Sequence, residues 1–228
     1  MNMDFNLFTP TKLLFGRGKL NELGNQKLPG RKALLLISSG QSVKTSGTLD
    51  RVTAQLDKAG ATYVICNNIH ENPSKEVVME AAACAKGNGC DFILALGGGA
   101  VLDSAVAVAA MATNPGDLWD YVCGGTGKAQ PLLHPGLPIV TIATTSGTGS
   151  EINCWGVISN HETNEKIGFG DPSLNPVLAI VDPELMRTVP AEYTAYQGFD
   201  ALFHNTEVMI SRFVNVLSEP IASVSYTH

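Results

Sequence analysis

Three groups of residues in this chain have types and spacing suited to chemistry. The first is Gly97, Gly98 and Gly99, followed by Ala-Val-Leu-Asp103, between the apolar run Asp91–Leu96 and an Ala/Val-rich stretch from Ala100 to Thr113. A strand, then glycines, then a helix presents free backbone N–H groups to a phosphate. The glycines permit close approach, and the helix N-terminus favours negative charge. Leu102 stands where the third glycine of G-x-G-x-x-G would fall, so the spacing is not that fingerprint. Read alone, the stretch suits a phosphate and a ligand-free tight turn about equally. The second group is Thr144-Thr-Ser-Gly-Thr-Gly-Ser-Glu151, which closes the apolar run Leu137–Thr144. Thr144, Thr145 and Thr148 offer hydroxyl donors to phosphate or ribose, and a plain Ser/Thr-rich turn is the alternative. Two such loops at the carboxyl ends of strands in one parallel sheet favour a nucleotide ligand.

The third group is the pair Asp200 and His204 within Gly198–Glu207. Four residues apart on a helix, they share one face. Carboxylate with imidazole suits Fe²⁺ or Zn²⁺, but a site needs three or four ligands. By spacing alone, a surface or capping contact is the better reading. His70, His134, His161 and His228 fall in apparent loops or at the terminus, and nothing marks them as ligands.

These groups need elements to position them. Strands are expected at Lys32–Ile37, Ala61–Cys66, 91–96, Leu137–Thr144 and Val177–Val181. Helices are expected at Thr48–Ala59, Lys75–Lys86, 100–113 and 191–212, with Pro190 suiting the last start. Ser38–Lys44 reads as a turn-rich loop, and Trp155–Ser159 with Lys166–Phe169 as a hairpin. Strands alternating with helices imply an α/β fold with a doubly wound, Rossmann-like parallel sheet. Strand character is lost after Pro190, so the chain divides into 1–189, a dinucleotide-binding domain, and 190–228, the start of a helical domain.

Composition narrows the classes. The chain has 228 residues, 44% hydrophobic and 16% charged, enough for a substantial core. A net charge of −6 and a pI near 5.3 argue against nucleic acid as partner. No Lys/Arg run suits an anionic membrane, and the longest apolar run, Ala105–Ala112, is too short for a bilayer span. The N-terminus lacks the pattern of a secretory signal. Five cysteines with no C-x-x-C read as reduced, mostly buried thiols of a cytoplasmic protein.

Taken together, these motifs resemble the iron-containing (group III) alcohol dehydrogenases, and more closely their NADP-linked butanol dehydrogenase and aldehyde reductase branch. The resemblance covers about residues 4–222. It rests on Phe5–Gly18, Asn72-Pro73, Gly97–Asp103, Thr144–Glu151, Asp182–Leu185 and the Asp200–His204 stretch. It implies a Rossmann-like domain followed by an all-helical one, with the active site in the cleft between. It assigns the cofactor pyrophosphate to Gly98 and Gly99, supported by Asp103, and places Asn72, Thr144, Thr145, Thr148 and Lys166 around the cofactor. It makes Asp200 and His204 the first two metal ligands. The implied reaction moves a hydride between NADP(H) and a primary alcohol or aldehyde, with Fe²⁺ or Zn²⁺ as Lewis acid. A homodimer is also implied.

The choice of NADP(H) follows from the loop Ser38, Ser39, Gly40, Gln41, Ser42, Val43, Lys44. An acid there would hold a ribose 2′-hydroxyl and repel a 2′-phosphate. This loop has small donors and a lysine instead. NAD(H) is the alternative.

Three departures from the family pattern stand out. Ala100 replaces the usual serine, and Val106 a frequent lysine. The family's remaining two metal ligands are histidines well beyond His204, so the chain is expected to be a fragment with little activity by itself. The closing Ser223–His228 does not read as a helical continuation. Other readings are a glycerol dehydrogenase-like or dehydroquinate synthase-like protein, and a nucleotide-binding pseudoenzyme module.

Overall fold

The computed structural model describes residues 4–227. Six strands form one fully parallel sheet. They are β1 (Lys12–Phe15), β2 (Lys32–Ser38), β3 (Thr62–Ile69), β4 (Phe92–Gly97), β5 (Ile139–Ala143) and β8 (Leu178–Val181), in the spatial order β1-β8-β5-β4-β2-β3. A separate antiparallel hairpin pairs β6 (Trp155–Asn160) with β7 (Glu165–Gly170). The helices are α1 (Ser42–Thr45), α2 (Thr48–Lys58), α3 (Lys75–Gly87), α4 (Gly99–Met111), α5 (Ala191–Ile210) and α6 (Ser218–Thr227).

The central strands are apolar throughout because helices cover both sheet faces. Alternate residues therefore enter two cores. Leu34, Leu36, Ile93 and Ala95 pack with α3 and α4, whereas Leu35, Ile37, Leu94 and Leu96 pack with α2 and the 3₁₀ turn at Lys19–Asn25. In α4, every residue from Val101 to Met111 except Asp103 is buried, so this helix has no solvent face. One side meets the sheet and another meets β6. There, a side chain at Gly156 would strike the Asp103 carbonyl oxygen. Buried Asp182 accepts hydrogen bonds from the Gly18, Leu20 and Glu184 amides, fastening the N-terminal turn to the end of β8.

The chain enters the sheet at β1 on one edge and next adds β2, beside the far edge. It moves outward to β3, then returns to the other side of β2 for β4, and continues to β5 and β8. The reversal falls between β2 and β4, and a parallel sheet opens a crevice beyond its carboxyl ends at such a point.

Several expectations need correction. Ser38–Lys44 is not all loop, since Ser42–Thr45 winds into a helical turn behind the Gln41 carbonyl. β1 adds a sixth strand to the five expected; a four-residue edge strand carries too little pattern to stand out in sequence. The helix expected over 191–212 ends at Ile210, where Ser211 turns to an extended conformation. Residues 223–227 continue α6 rather than breaking from it, and His228 lies outside the described residues. The thiols are not mostly buried: Cys66 and Cys90 are, Cys84 and Cys154 are partly covered, and Cys123 is exposed, all five being free. No helix among the described residues is long and apolar enough to cross a membrane.

Candidate functional site

Beyond the carboxyl ends of β2, β3 and β4 lies a cavity of about 530 Å³. Ser38, Ile69, His70, Glu71, Gly98, Gly99, Thr145 and Thr148 line it, with Tyr196, Gln197 and Asp200 of α5 as the opposite wall. A smaller cavity of about 260 Å³ adjoins it, sharing Glu71, Thr145 and Gln197 and adding Ser42, Thr48, Thr144 and Tyr193. Together they make a cleft along the topological reversal.

Gly97 is the buried last residue of β4, Gly98 is the N-cap of α4, and Gly99 opens the helix. Gly98 has no side chain with which to cap α4. The amides of Gly99 and Ala100 come too early in the helix to have intrahelical acceptors, so they are donors available to a ligand. The threonine loop packs directly on the glycines. A Cβ at Gly98 would lie 3.0 Å from Thr145 Oγ1, and one at Gly99 would lie 2.7 Å from Thr148 Cγ2. Glycine is required here so that hydroxyls and backbone amides can converge on one spot.

Asp103 points away from that spot. Its Oδ2 accepts the Val157 amide at 3.0 Å, and Ser150 also donates to it. Burial pushes this carboxyl above the usual aspartate range, against the pull of Val157, Ser150 and the nearby Lys166 ammonium. Its support of the glycine loop is therefore indirect, through the docking of α4 on the hairpin. Lys166 Nζ donates to Asn72 Oδ1 at 2.7 Å. Neither residue lines the cleft; the pair ties β7 to the loop after β3.

The loop after β2 divides. Ser38 and Ser42 face the cleft, whereas Ser39, Gly40 and Lys44 do not line it. Ser39 binds β3 instead: its amide donates to the Ile69 carbonyl at 2.8 Å, and its hydroxyl meets His70 Nδ1 at 2.9 Å. His70 and Glu71 were not singled out from sequence. Their signal is the β2–β3 pairing, which the amino-acid pattern does not reveal.

Asp200 and His204 share one face of α5, with Oδ1 and Nε2 3.9 Å apart. Two donors each about 2.0–2.2 Å from one ion lie no more than about 4.4 Å apart, so this spacing suits a shared cation. His204 Nδ1 lies 3.2 Å from the Gly147 carbonyl oxygen, which can only accept. Nδ1 is therefore the donor in this bond, which leaves Nε2, the atom beside Asp200, as the ring nitrogen placed for a metal. Gly147, at φ +97°, permits this approach: a Cβ there would lie 2.9 Å from the Gln197 carbonyl oxygen. Gln197 Oε1 accepts from both the amide and the hydroxyl of Ser146, at 2.9 and 3.0 Å. No group of three or more His, Cys, Asp or Glu side chains is placed for a metal among the described residues. Two donors fit an ion, and its remaining ligands would come from elsewhere.

The family model described as "Iron-containing alcohol dehydrogenase" matches residues 10–183. A Bacillus subtilis protein, "Probable NADH-dependent butanol dehydrogenase 1", is 42% identical over 201 residues, which are 88% of this chain and 51% of that protein. The Escherichia coli "NADPH-dependent aldehyde reductase YqhD" is 34% identical over 212 residues, 93% of this chain and 54% of that protein. The crystal structure of NADH-dependent butanol dehydrogenase A from Thermotoga maritima superimposes with a TM-score of 0.90 at 35% identity, covering 98% of this chain and 55% of that one. The chain spans about half the length of the curated relatives it matches.

Proposed function

The chain belongs to the iron-containing alcohol dehydrogenase family, and on that premise we propose that it is the dinucleotide-binding part of a metal-dependent alcohol dehydrogenase or aldehyde reductase. The observation that carries this reading is the convergence of Gly98, Gly99, Thr145 and Thr148 at the sheet's topological reversal. The amides of Gly99 and Ala100 would take the pyrophosphate, with the start of α4 favouring its charge. Thr144, Thr145 and Thr148 would add hydroxyls, and Ser38 and Ser42 would meet the adenosine ribose. Gln197 holds Ser146 and so fixes the threonine loop against α5.

Asp200 and His204 would supply two ligands to Fe²⁺ or Zn²⁺, His204 oriented through Gly147. When bound, the nicotinamide would carry the hydride and the ion would polarise the substrate oxygen. The residues present bind the dinucleotide, orient it and hold the imidazole in one tautomer. Two ligands retain an ion weakly, so the 228 residues by themselves should turn over substrate slowly. We place the division between the dinucleotide-binding unit and the helical one near residue 190, where Pro190 starts α5.

For the dinucleotide, NADP(H) is supported by hydroxyls without an acid over 38–44. NAD(H) is favoured by a specific observation, the Glu71 carboxylate in the cleft with Lys44 outside it. The substrate would be a small primary alcohol or aldehyde, the protein a cytoplasmic homodimer. Fluorescence titration with NADPH and NADH tests the cofactor reading, and oxidation of either by butanal with added Fe²⁺ tests the reaction. Absence of binding by both dinucleotides would reject the assignment.

A further inference from the structure

Glu71 is the one acidic side chain lining both parts of the cleft, where the larger cavity meets the smaller. Its position is fixed from two sides. Upstream, Ser39 holds Ile69 through its amide and His70 through its hydroxyl. Downstream, Asn72 takes up a left-handed conformation at φ +51° and accepts from Lys166, while the Pro73 carbonyl accepts the Ser159 amide at 2.9 Å. Bonds at Ile69, His70, Asn72 and Pro73 hold the backbone on either side of Glu71 and so keep its Cα at the cleft. The charged groups nearest the cleft are few. Asp200 lines the larger cavity and adds negative charge, His70 is the sole imidazole lining it among the described residues, and Lys44 lines neither part.

We propose that Glu71 is a specificity-determining residue, its carboxylate accepting from the ribose 2′-hydroxyl of NAD(H) and opposing the 2′-phosphate of NADP(H). This rests on the reading of the cleft as a dinucleotide site. The physical basis is ordinary. A carboxylate is a good acceptor for a ribose hydroxyl, whereas two anions at close range repel unless a cation lies between them. Ser38 and Ser42 offer hydroxyls to a phosphate from the cleft lining, and Glu71 sets the charge balance against it. Selection is thus divided between two loops, after β2 and after β3, that meet at Ser39 and His70.

The test is fluorescence titration of the 228-residue chain and of Glu71→Gln with NADH and NADPH at fixed salt. Because Glu71 is solvent-exposed, the expected shift is moderate: the preference should move toward NADPH by about fivefold to tenfold in Glu71→Gln. Glu71→Lys should move it further the same way. Circular dichroism melting of both variants checks that folding is unchanged, as expected for an exposed side chain. A ratio of affinities within about twofold of wild type in both variants would overturn the role of Glu71 while leaving the cleft a dinucleotide site. Failure of the unmodified chain to bind either dinucleotide would overturn the reading of the cleft, and the inference with it.

Discussion

Asp103 Oδ2 accepts the Val157 amide at 3.0 Å, and this bond joins the helix that begins at the glycine loop to the hairpin that carries Lys166. The same hairpin reaches back to Asn72 through Lys166 and to Pro73 through Ser159. Two segments beside the cleft, the first turns of α4 and the loop after β3, are therefore held by β6 and β7, which contribute no residue to its lining.

Removing that bond should have opposite effects depending on what replaces it. Asp103→Ala leaves the Val157 amide without its carboxylate partner and should cost about 1–3 kcal/mol in urea denaturation. Asp103→Asn keeps an acceptor and removes a charge disfavoured by burial. The folded pKa of Asp103 is raised, so ionised Asp103 lowers stability as pH rises from the unfolded value through the folded one. Asp103→Asn should therefore match or exceed wild-type stability at neutral pH. Equal losses for both variants would contradict this account.

Contact between the glycine and threonine loops predicts a compensating pair. Gly99→Ala puts a methyl group 2.7 Å from Thr148 Cγ2 and should weaken dinucleotide binding roughly tenfold. Thr148→Ser removes that methyl and keeps the hydroxyl, so the double variant should recover part of the loss. Additive losses in a double-mutant cycle would show that the two loops act separately.

Acid pH should loosen the segment around Thr126. Hydrogen bonds from Thr126, Thr163 and Trp119 hold the Glu165 carboxyl down to about 2. Its folded pKa lies below the unfolded value, so the clamp is fully formed above about 4.5 and is lost as pH falls toward 2. The protection factor of the Thr126 amide, its exchange rate relative to the intrinsic rate at each pH, should fall across that window in the wild type. Glu165→Gln should show a lower protection factor that does not change with pH. Identical profiles would contradict the clamp.

Much of this arrangement was legible in the residues. Runs such as Ala33–Ile37 and Phe92–Leu96 are apolar throughout because both sheet faces are covered, which marks central parallel strands. Gly97–Gly99 and the threonine loop stood out because glycines and hydroxyls follow such runs directly. What stayed hidden depends on pairing. A lysine among small donors suggests a cation facing the ligand, but the turn at Ser42–Thr45 carries Lys44 out of the cleft lining. His70 and Glu71 enter the cleft only because β3 lies beside β2 in a register that sets Ser38 opposite Ile69. No local pattern encodes that register. Asp200 and His204 could be placed on one face by spacing, but the Gly147 carbonyl that orients the imidazole is 57 residues away in sequence.

The most direct measurement is a crystal structure of the chain with NADPH or NADH bound. The account predicts the pyrophosphate against the amides of Gly99 and Ala100, with its oxygens in reach of Thr145 and Thr148, and the adenosine ribose near Ser38 and Glu71. A dinucleotide seated elsewhere, or a pyrophosphate out of reach of the start of α4, would contradict it.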